Sequence, residues 1–228
     1  MRVVCVSGQR LSRWAFVFLR VVLCCVPVKT LLTRISHRWL GLLPLVFFLA
    51  QAVHYWRINE LGNMLWMCNI GNLLLALGLF LDKPVVVRLS AIWMVPGIVV
   101  WFIYVVLAWG VFLSSTLAHV GGLAVSMIAL KWYRMDRGAW RSAFGWYLAV
   151  QLASRFVTPA ALNVNLAHTI APGWERTFQS YWAFWLVLTA ATAAVLYLSG
   201  LILWTVWRSN SSRESSINSE TNLHKSAG

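Results

Sequence analysis

The chain has 228 residues, of which 60% are hydrophobic and 11% are charged, and its mean hydropathy is +0.71. A water-soluble domain of this length carries far more charge, so the composition excludes that class. The apolar runs reach the roughly 20 residues that cross a bilayer, and the 15 tryptophans are typical of membrane interfaces. The net charge of +13 lies in loops and tails without a nucleic-acid-binding motif, so we expect no nucleic-acid partner.

Residues 1–38 form a basic N-terminal region, which we expect to be interfacial or disordered. Its apolar run, 14–28, is short for a span and contains Arg20, and no small-residue cleavage site follows it. The region could therefore be an interfacial helix, a seventh span or a start-site extension.

Six apolar segments follow and predict an all-α membrane bundle of six transmembrane helices in one domain, 39–207. The predicted spans are 39–55, 62–81, 89–107, 111–130, 142–158 and 181–207. Residues 208–228 are rich in serine and asparagine and predict a disordered cytoplasmic tail.

The basic residues orient this bundle. With six spans, all 19 lysines and arginines except Arg57, Arg155 and Arg176 fall on one side of the membrane. Because lysine and arginine accumulate on the cytoplasmic side, we expect a multi-pass protein of the cell membrane with both termini in the cytoplasm. A seventh span would move the basic N-terminus to the other side, against this rule.

Three of the predicted spans carry polar side chains at similar depth. They are Cys68, Asn69 and Asn72 in the second span, His119 in the fourth, and Gln151 and Arg155 in the fifth. At about 1.5 Å per residue, they all lie roughly 6–15 Å below the outer end of their span. Polar side chains in hydrocarbon must face protein or water, so the spacing predicts one polar chamber that opens outward. The loop after the fifth span adds Asn163 and Asn165 and could fold back as a lid.

A thiol and an imidazole in one chamber predict nucleophilic chemistry. Cys68 would be the nucleophile and His119 the base that takes its proton. Arg155 could hold an anionic head group, and at this depth the fitting substrate is a membrane lipid that undergoes acyl transfer or hydrolysis. Ser115 or Thr116 is a weaker alternative nucleophile, because both share the helix of His119. The predicted substrate-binding residues are Asn69, Asn72, Gln151, Arg155, Asn163 and Asn165.

Other classes of function compete with this interpretation. The polar residues could only pack the bundle of a non-enzymatic protein, such as a small-molecule carrier or an assembly factor. All six acidic residues lie outside the spans, which removes the usual carboxylate relay of an ion-coupled transporter. Cys68 and His119 with His54 or His168 form no ligand pair at helical spacing, so we expect no metal and no cofactor. The sequence leaves the oligomeric state open.

Four short motifs occur in a fixed order: Leu-x-x-Cys-Asn at 65–69, a span with a lone histidine at 116–121, a basic loop at 131–141 and Asn-x-Asn at 163–165. Together they resemble the motifs of the YwaF-type bacterial integral membrane proteins. The resemblance covers about 39–207 and implies six spans. It also implies a distant similarity to eukaryotic membrane proteins that move or hydrolyse lipid acyl groups with a Cys or Thr nucleophile and a His, here Cys68 and His119. Asn69 departs from the Asp expected in many relatives, and the loop after the third span is very short.

Overall fold

The computed structural model of the protein describes residues 37–108 and 112–207. These residues form helices and turns, with no β-strand among them. The helices are α1 (Leu42–Arg57), α2 (Met67–Phe80), α3 (Pro84–Ala108), α4 (Leu113–Tyr133), α5 (Ala139–Val157) and α6 (Tyr181–Trp207). Our predictions for the N-terminal region before residue 37 and for the tail 208–228 lie outside the described residues.

Each predicted span corresponds to one helix, but fewer than six of these helices are long and apolar enough to be candidates for crossing a membrane. In the described part of the chain, four helices are long and apolar enough: α1 with the turn before it, α3, α4 and α6. Helix α2 has 14 residues, or about 21 Å, against about 30 Å of hydrocarbon. Helix α5 has 19 residues but carries Arg141, Gln151 and Arg155, and it is not one of the four. A count of six spanning helices is therefore not confirmed.

Helix α2 starts later than the predicted span 62–81. A 3-10 turn, Leu61–Leu65, comes first, and Trp66 is extended with φ −56° and ψ 137°. The chain therefore changes direction at Trp66. As a result, Cys68 and Asn69 lie in the first turn of α2 instead of within a long helix.

Helix α3 is the centre of the bundle and packs against α2, α4, α5 and α6. Its buried face includes Ile92 and Trp93, and the Trp93 indole N–H donates to the Ala143 carbonyl of α5 at 3.0 Å. The second half of α3 exposes an apolar surface, with Val100 and Leu107 at 65% and 74% exposure. An uncovered apolar surface of this kind fits contact with lipid.

Asp82 fastens the turn between α2 and α3 to the end of α4. The Tyr133 hydroxyl donates to its carboxylate at 2.8 Å, and His37 and Arg38 lie 3.5 and 3.6 Å from it. On the same end, the Arg88 side chain donates to the Tyr133 and Arg134 carbonyls at 3.1 and 2.7 Å. The Tyr133 hydrogen bond, aided by His37 and Arg38, lowers the pKa of the exposed Asp82 carboxyl.

This lowered pKa predicts an acid-sensitive contribution to stability. A carboxyl whose pKa is lower in the folded state stabilises the fold above its unfolded pKa, near 3.9, and loses that effect as the pH falls through the folded pKa. We therefore expect Asp82→Asn to lower the Tm at pH 7 and to lower it less at pH 3. Thermal unfolding of the detergent-solubilised protein at both pH values measures this. An equal loss of Tm at pH 3 would show that the carboxylate charge is not involved.

Candidate functional site

The start of α2 is held in place by Asn165, from the loop after α5. The Asn165 side-chain oxygen accepts the Met67 N–H at 3.3 Å, and its nitrogen donates to the Leu65 carbonyl at 2.7 Å. That nitrogen also lies 2.9 Å from the Ser154 hydroxyl of α5. Asn165 has a φ of +53°, a left-handed conformation that asparagine tolerates better than most residues. The Asn165 side chain thus supplies hydrogen-bond partners for the Leu65 carbonyl and the Met67 N–H, on either side of Trp66.

Helix α4 contains one π-helical turn, Leu117–Gly121, around His119. Turns of this kind are rare. They interrupt the usual α-helical hydrogen bonds, in which each N–H donates to the carbonyl four residues earlier. Here the Gly122 N–H is directed to the carbonyls of Leu117 and His119 instead of that of Ala118. The Ala118 carbonyl therefore lacks its ordinary helical partner.

The side chain of Asn72 supplies the donor that Ala118 lacks. Its nitrogen lies 2.9 Å from the Ala118 carbonyl oxygen and 2.9 Å from the Cys68 carbonyl oxygen, one turn earlier in α2. Asn72 is fully buried, so this amide acts in an environment where unmet hydrogen bonds are costly. It joins the main chain at Cys68 to the residue that precedes His119.

The ring of His119 is fixed in orientation by its own helix and by α3. Its Nδ1 lies 2.8 Å from the Ser115 carbonyl oxygen, and the ring stacks on Trp101 with centroids 5.6 Å apart. The Trp101 indole N–H in turn donates to the Ser115 hydroxyl at 3.0 Å. Because a carbonyl only accepts, Nδ1 must carry the proton, and Nε2 of the neutral ring is then the basic nitrogen.

Cys68 of α2 and His119 of α4 pack against the same face of α3. Its thiol is free and half-buried, and a Cβ at Gly97 would lie 3.7 Å from the Cys68 Cβ. Gly97 and Trp101 are one helical turn apart on α3, so Cys68 and His119 lie against neighbouring turns of it. No hydrogen bond joins the Cys68 sulfur to the imidazole. Direct proton transfer would therefore require the two side chains to move closer together.

Gln151 and Arg155 belong to a second polar group, between α5, α6 and the loop that joins them. Gln151 donates to the Asn165 carbonyl at 3.3 Å and accepts the Trp185 indole N–H at 3.0 Å. The Arg155 guanidinium donates to the Ala167 carbonyl at 2.6 Å, and it lies over the rings of Tyr181 and Trp182 at 5.0 and 5.3 Å. Arg155 thus holds the loop against the start of α6.

Asn163 organises the same loop. Its side-chain oxygen accepts the N–H groups of His168 and Thr169, both at 3.0 Å, and the His168 ring lies 3.2 Å from the Thr158 hydroxyl. The loop is thus folded back on the end of α5. The hydrogen bonds of the Asn163 side chain are all to the main chain of His168 and Thr169, and none joins it to Cys68.

The structure brings the predicted site residues together in two sets. Cys68, Asn69, Asn72 and His119 form the first, and Gln151, Arg155, Asn163 and Asn165 form the second. The sets meet where Asn165 holds the start of α2. Sequence reasoning missed Gln51 of α1, which is 3% exposed and faces the first set. The sequence did contain a signal for Gln51, because it is a polar residue within the first predicted span, 39–55.

No group of three or more His, Cys, Asp and Glu side chains that could hold a metal occurs in residues 37–108 and 112–207. Comparison with protein-family models, with curated proteins and with solved structures gives no match. The site must therefore be interpreted from its own geometry.

Gly122 leaves the room that Asn72 needs. A Cβ at Gly122 would lie 2.5 Å from the Asn72 side-chain oxygen, too close for any real contact. We expect Gly122→Ala to displace the Asn72 amide and to destabilise the fold by about 1–3 kcal/mol, the range for overpacked interiors. Thermal unfolding measures the loss.

The matched control is Gly145→Ala in α5, where a Cβ would meet nothing within 4 Å. Alanine favours helix over glycine, so this variant should be as stable as the parent or slightly more stable. Equal stability of the two variants would contradict the proposed contact of Gly122 with Asn72.

Proposed function

We propose that this integral membrane protein transfers or hydrolyses lipid acyl groups, with Cys68 as nucleophile and His119 as base. The observation that carries the proposal is the orientation of His119, whose Nδ1 donates to its own helix and leaves Nε2 as the basic nitrogen. The Asn72 bridge supports it, because it ties the backbone at Cys68 to that at Ala118. The resemblance of 65–69 and 116–121 to YwaF-type proteins agrees with these roles.

The proposed reaction balances as an acyl transfer in two steps. The Cys68 sulfur attacks the acyl carbonyl while its proton passes to Nε2 of His119. The ester bond then breaks, the leaving alcohol takes the proton from Nε2, and a thioester to Cys68 remains. Water or an acceptor hydroxyl, deprotonated by Nε2, attacks the thioester and releases the acyl product and the thiol.

The membrane supplies the substrate class. Helices α1, α3 and α6 expose apolar side chains along much of their length, which fits a surface in contact with lipid. A long-chain acyl ester reaches such a site from within the bilayer. We propose that the site lies in the outer half of the cell membrane, with both termini in the cytoplasm, on the distribution of basic residues.

A second candidate is a non-enzymatic membrane protein, such as a small-molecule carrier or an assembly factor. It is favoured by the many side-chain bonds to main-chain atoms, among them those of Asn72, Asn165 and Arg155. Side chains used in this way hold helices and loops together without taking part in a reaction. The reactivity of Cys68 distinguishes the two candidates.

Thiol labelling tests the enzymatic proposal in a parent protein that carries Cys5→Ser, Cys24→Ser and Cys25→Ser. We expect a long-chain alkyl iodoacetamide to label Cys68 at pH 7, and His119→Ala to slow the labelling about 100-fold, the low end for a lost general base. Raising the pH should restore labelling in His119→Ala, because hydroxide then ionises the thiol.

The matched control is His54→Ala, since His54 packs on Tyr55 and Phe112 instead of Trp101. It should label at the parent rate, and the Tm of each variant confirms its fold. The same proteins, in vesicles of phosphatidylethanolamine and phosphatidylglycerol with labelled acyl chains, should lose acyl turnover with Cys68→Ala. Equal labelling of His119→Ala and parent at pH 7 would favour the non-enzymatic candidate.

A further inference from the structure

Three amide oxygens, two in the first set of polar residues and one on α1 beside it, accept no hydrogen bond from any described residue. They are Gln51 Oε1, Asn69 Oδ1 and Asn72 Oδ1, and we call these three residues the amide cluster. Their side chains are 3%, 1% and 0% exposed. Buried amide oxygens of this kind are nearly always paired in folded proteins, so three in one region need an explanation.

The orientation of two of these amides is fixed by their nitrogens. The Asn72 nitrogen donates to the Cys68 and Ala118 carbonyls, and the Asn69 nitrogen donates to the Asn63 carbonyl at 2.9 Å. Rotating either amide would place its oxygen against a carbonyl oxygen, which repels it. The oxygens of Asn69 and Asn72 must therefore point away from those contacts.

The amide cluster lies where α1, α2 and α4 meet: Gln51 belongs to α1, and Asn69 and Asn72 belong to α2, with Asn72 against Ala118 and Gly122 of α4. The Tyr55 hydroxyl is close to Gln51, Asn69 and Cys68, although it makes no well-formed hydrogen bond to either amide. Gln51 precedes Tyr55 by one helical turn, and Asn69 precedes Asn72 by three residues on α2. A single hydroxyl has one proton to donate, so Tyr55 could pair at most one of the three oxygens.

We infer that the amide cluster binds a neutral group with two or more O–H or N–H donors. Three buried acceptor oxygens that no described residue pairs call for a ligand that brings hydrogen-bond donors of its own. The described helices contain no acidic residue that could balance a bound cation, which favours a neutral ligand. The half-buried Cys68 at its edge leaves the region open to a lipid that carries a glycerol head group. This inference goes beyond the proposed reaction and does not require Cys68 to react.

Two lipids with the same acyl chain test the donor requirement. Monoolein has two free hydroxyls, whereas methyl oleate has only acceptor oxygens. In lauryldimethylamine oxide, a detergent without hydroxyls, we expect monoolein to raise the Tm of the protein by several degrees and methyl oleate to leave it unchanged. Free glycerol distinguishes the source of the donors: an equal shift with glycerol would identify a free polyol as ligand, and no shift would identify the lipid.

Gln51→Leu removes one acceptor from the amide cluster, and Gln51→Met repeats the test with a side chain of equal length. Both variants should lose most of the monoolein shift, and their own Tm should equal or exceed that of the parent, because an unpaired buried oxygen has been removed. Cys68→Ala should keep the shift, which separates this inference from the proposed reaction.

Three results would overturn the inference. An equal Tm shift with methyl oleate would show that the acyl chain binds without the donors. A full monoolein shift in both Gln51 variants would place the ligand elsewhere. A lower Tm of both ligand-free Gln51 variants would show that the Gln51 amide donates to its neighbours, which then need no ligand.

Discussion

The side-chain amide of Asn72 is the contact on which the polar interior depends. It pairs the Cys68 carbonyl of α2 with the Ala118 carbonyl of α4, which the π-helical turn leaves without its usual partner. A charged side chain could make the same contact only at a large desolvation cost, and an apolar one could not make it at all. The π-helical turn, the direction of His119 and the register of α2 against α4 therefore depend on one uncharged amide, with Gly122 small enough to admit it.

The amide cluster is costly to the fold. An unpaired buried acceptor costs about 1–3 kcal/mol, and Gln51, Asn69 and Asn72 each present one. In the second polar set, by contrast, Gln151 and Asn165 use both ends of their amides within the bundle. The second set thus stabilises the loop, whereas the first retains hydrogen-bonding capacity for a ligand. This difference locates the candidate site between α1, α2, α3 and α4 instead of beneath Arg155.

Much of the helix pattern follows from apolar periodicity and length, because hydrophobic runs separated by short polar turns determine where a membrane helix forms. The last helix has the bounds predicted for it, 181–207. The break at Trp66 could not be predicted, because 62–81 has the length of one span and contains neither a proline nor a charged residue, and the partner that holds the break, Asn165, is distant in sequence. The π-helical turn has no local signal either, since it is paired by Asn72 from another helix.

For the site, depth alone grouped six polar side chains into one chamber. Depth does not specify the direction in which a side chain points around its helix, and Arg155 and Gln151 are directed to the loop and to α6. Similar depth did bring Cys68, Asn69, Asn72 and His119 to one region. The same reasoning applied to the first span would have included Gln51.

The position of Cys68 against α3 is the claim on which the proposed function rests, and a disulfide between Cys68 and the cysteine of Gly97→Cys tests it directly. The Cβ atoms would lie 3.7 Å apart, within the usual range for a disulfide. In a protein with Cys5, Cys24 and Cys25 replaced by serine, we expect mild oxidation of Gly97→Cys to remove both free thiols. Mass spectrometry should show a loss of about 2 Da, the mass of the two hydrogens released. Gly145→Cys, on an open face of α5, should keep both thiols. Persistence of two free thiols in folded Gly97→Cys would contradict the register of α2 and the position of Cys68.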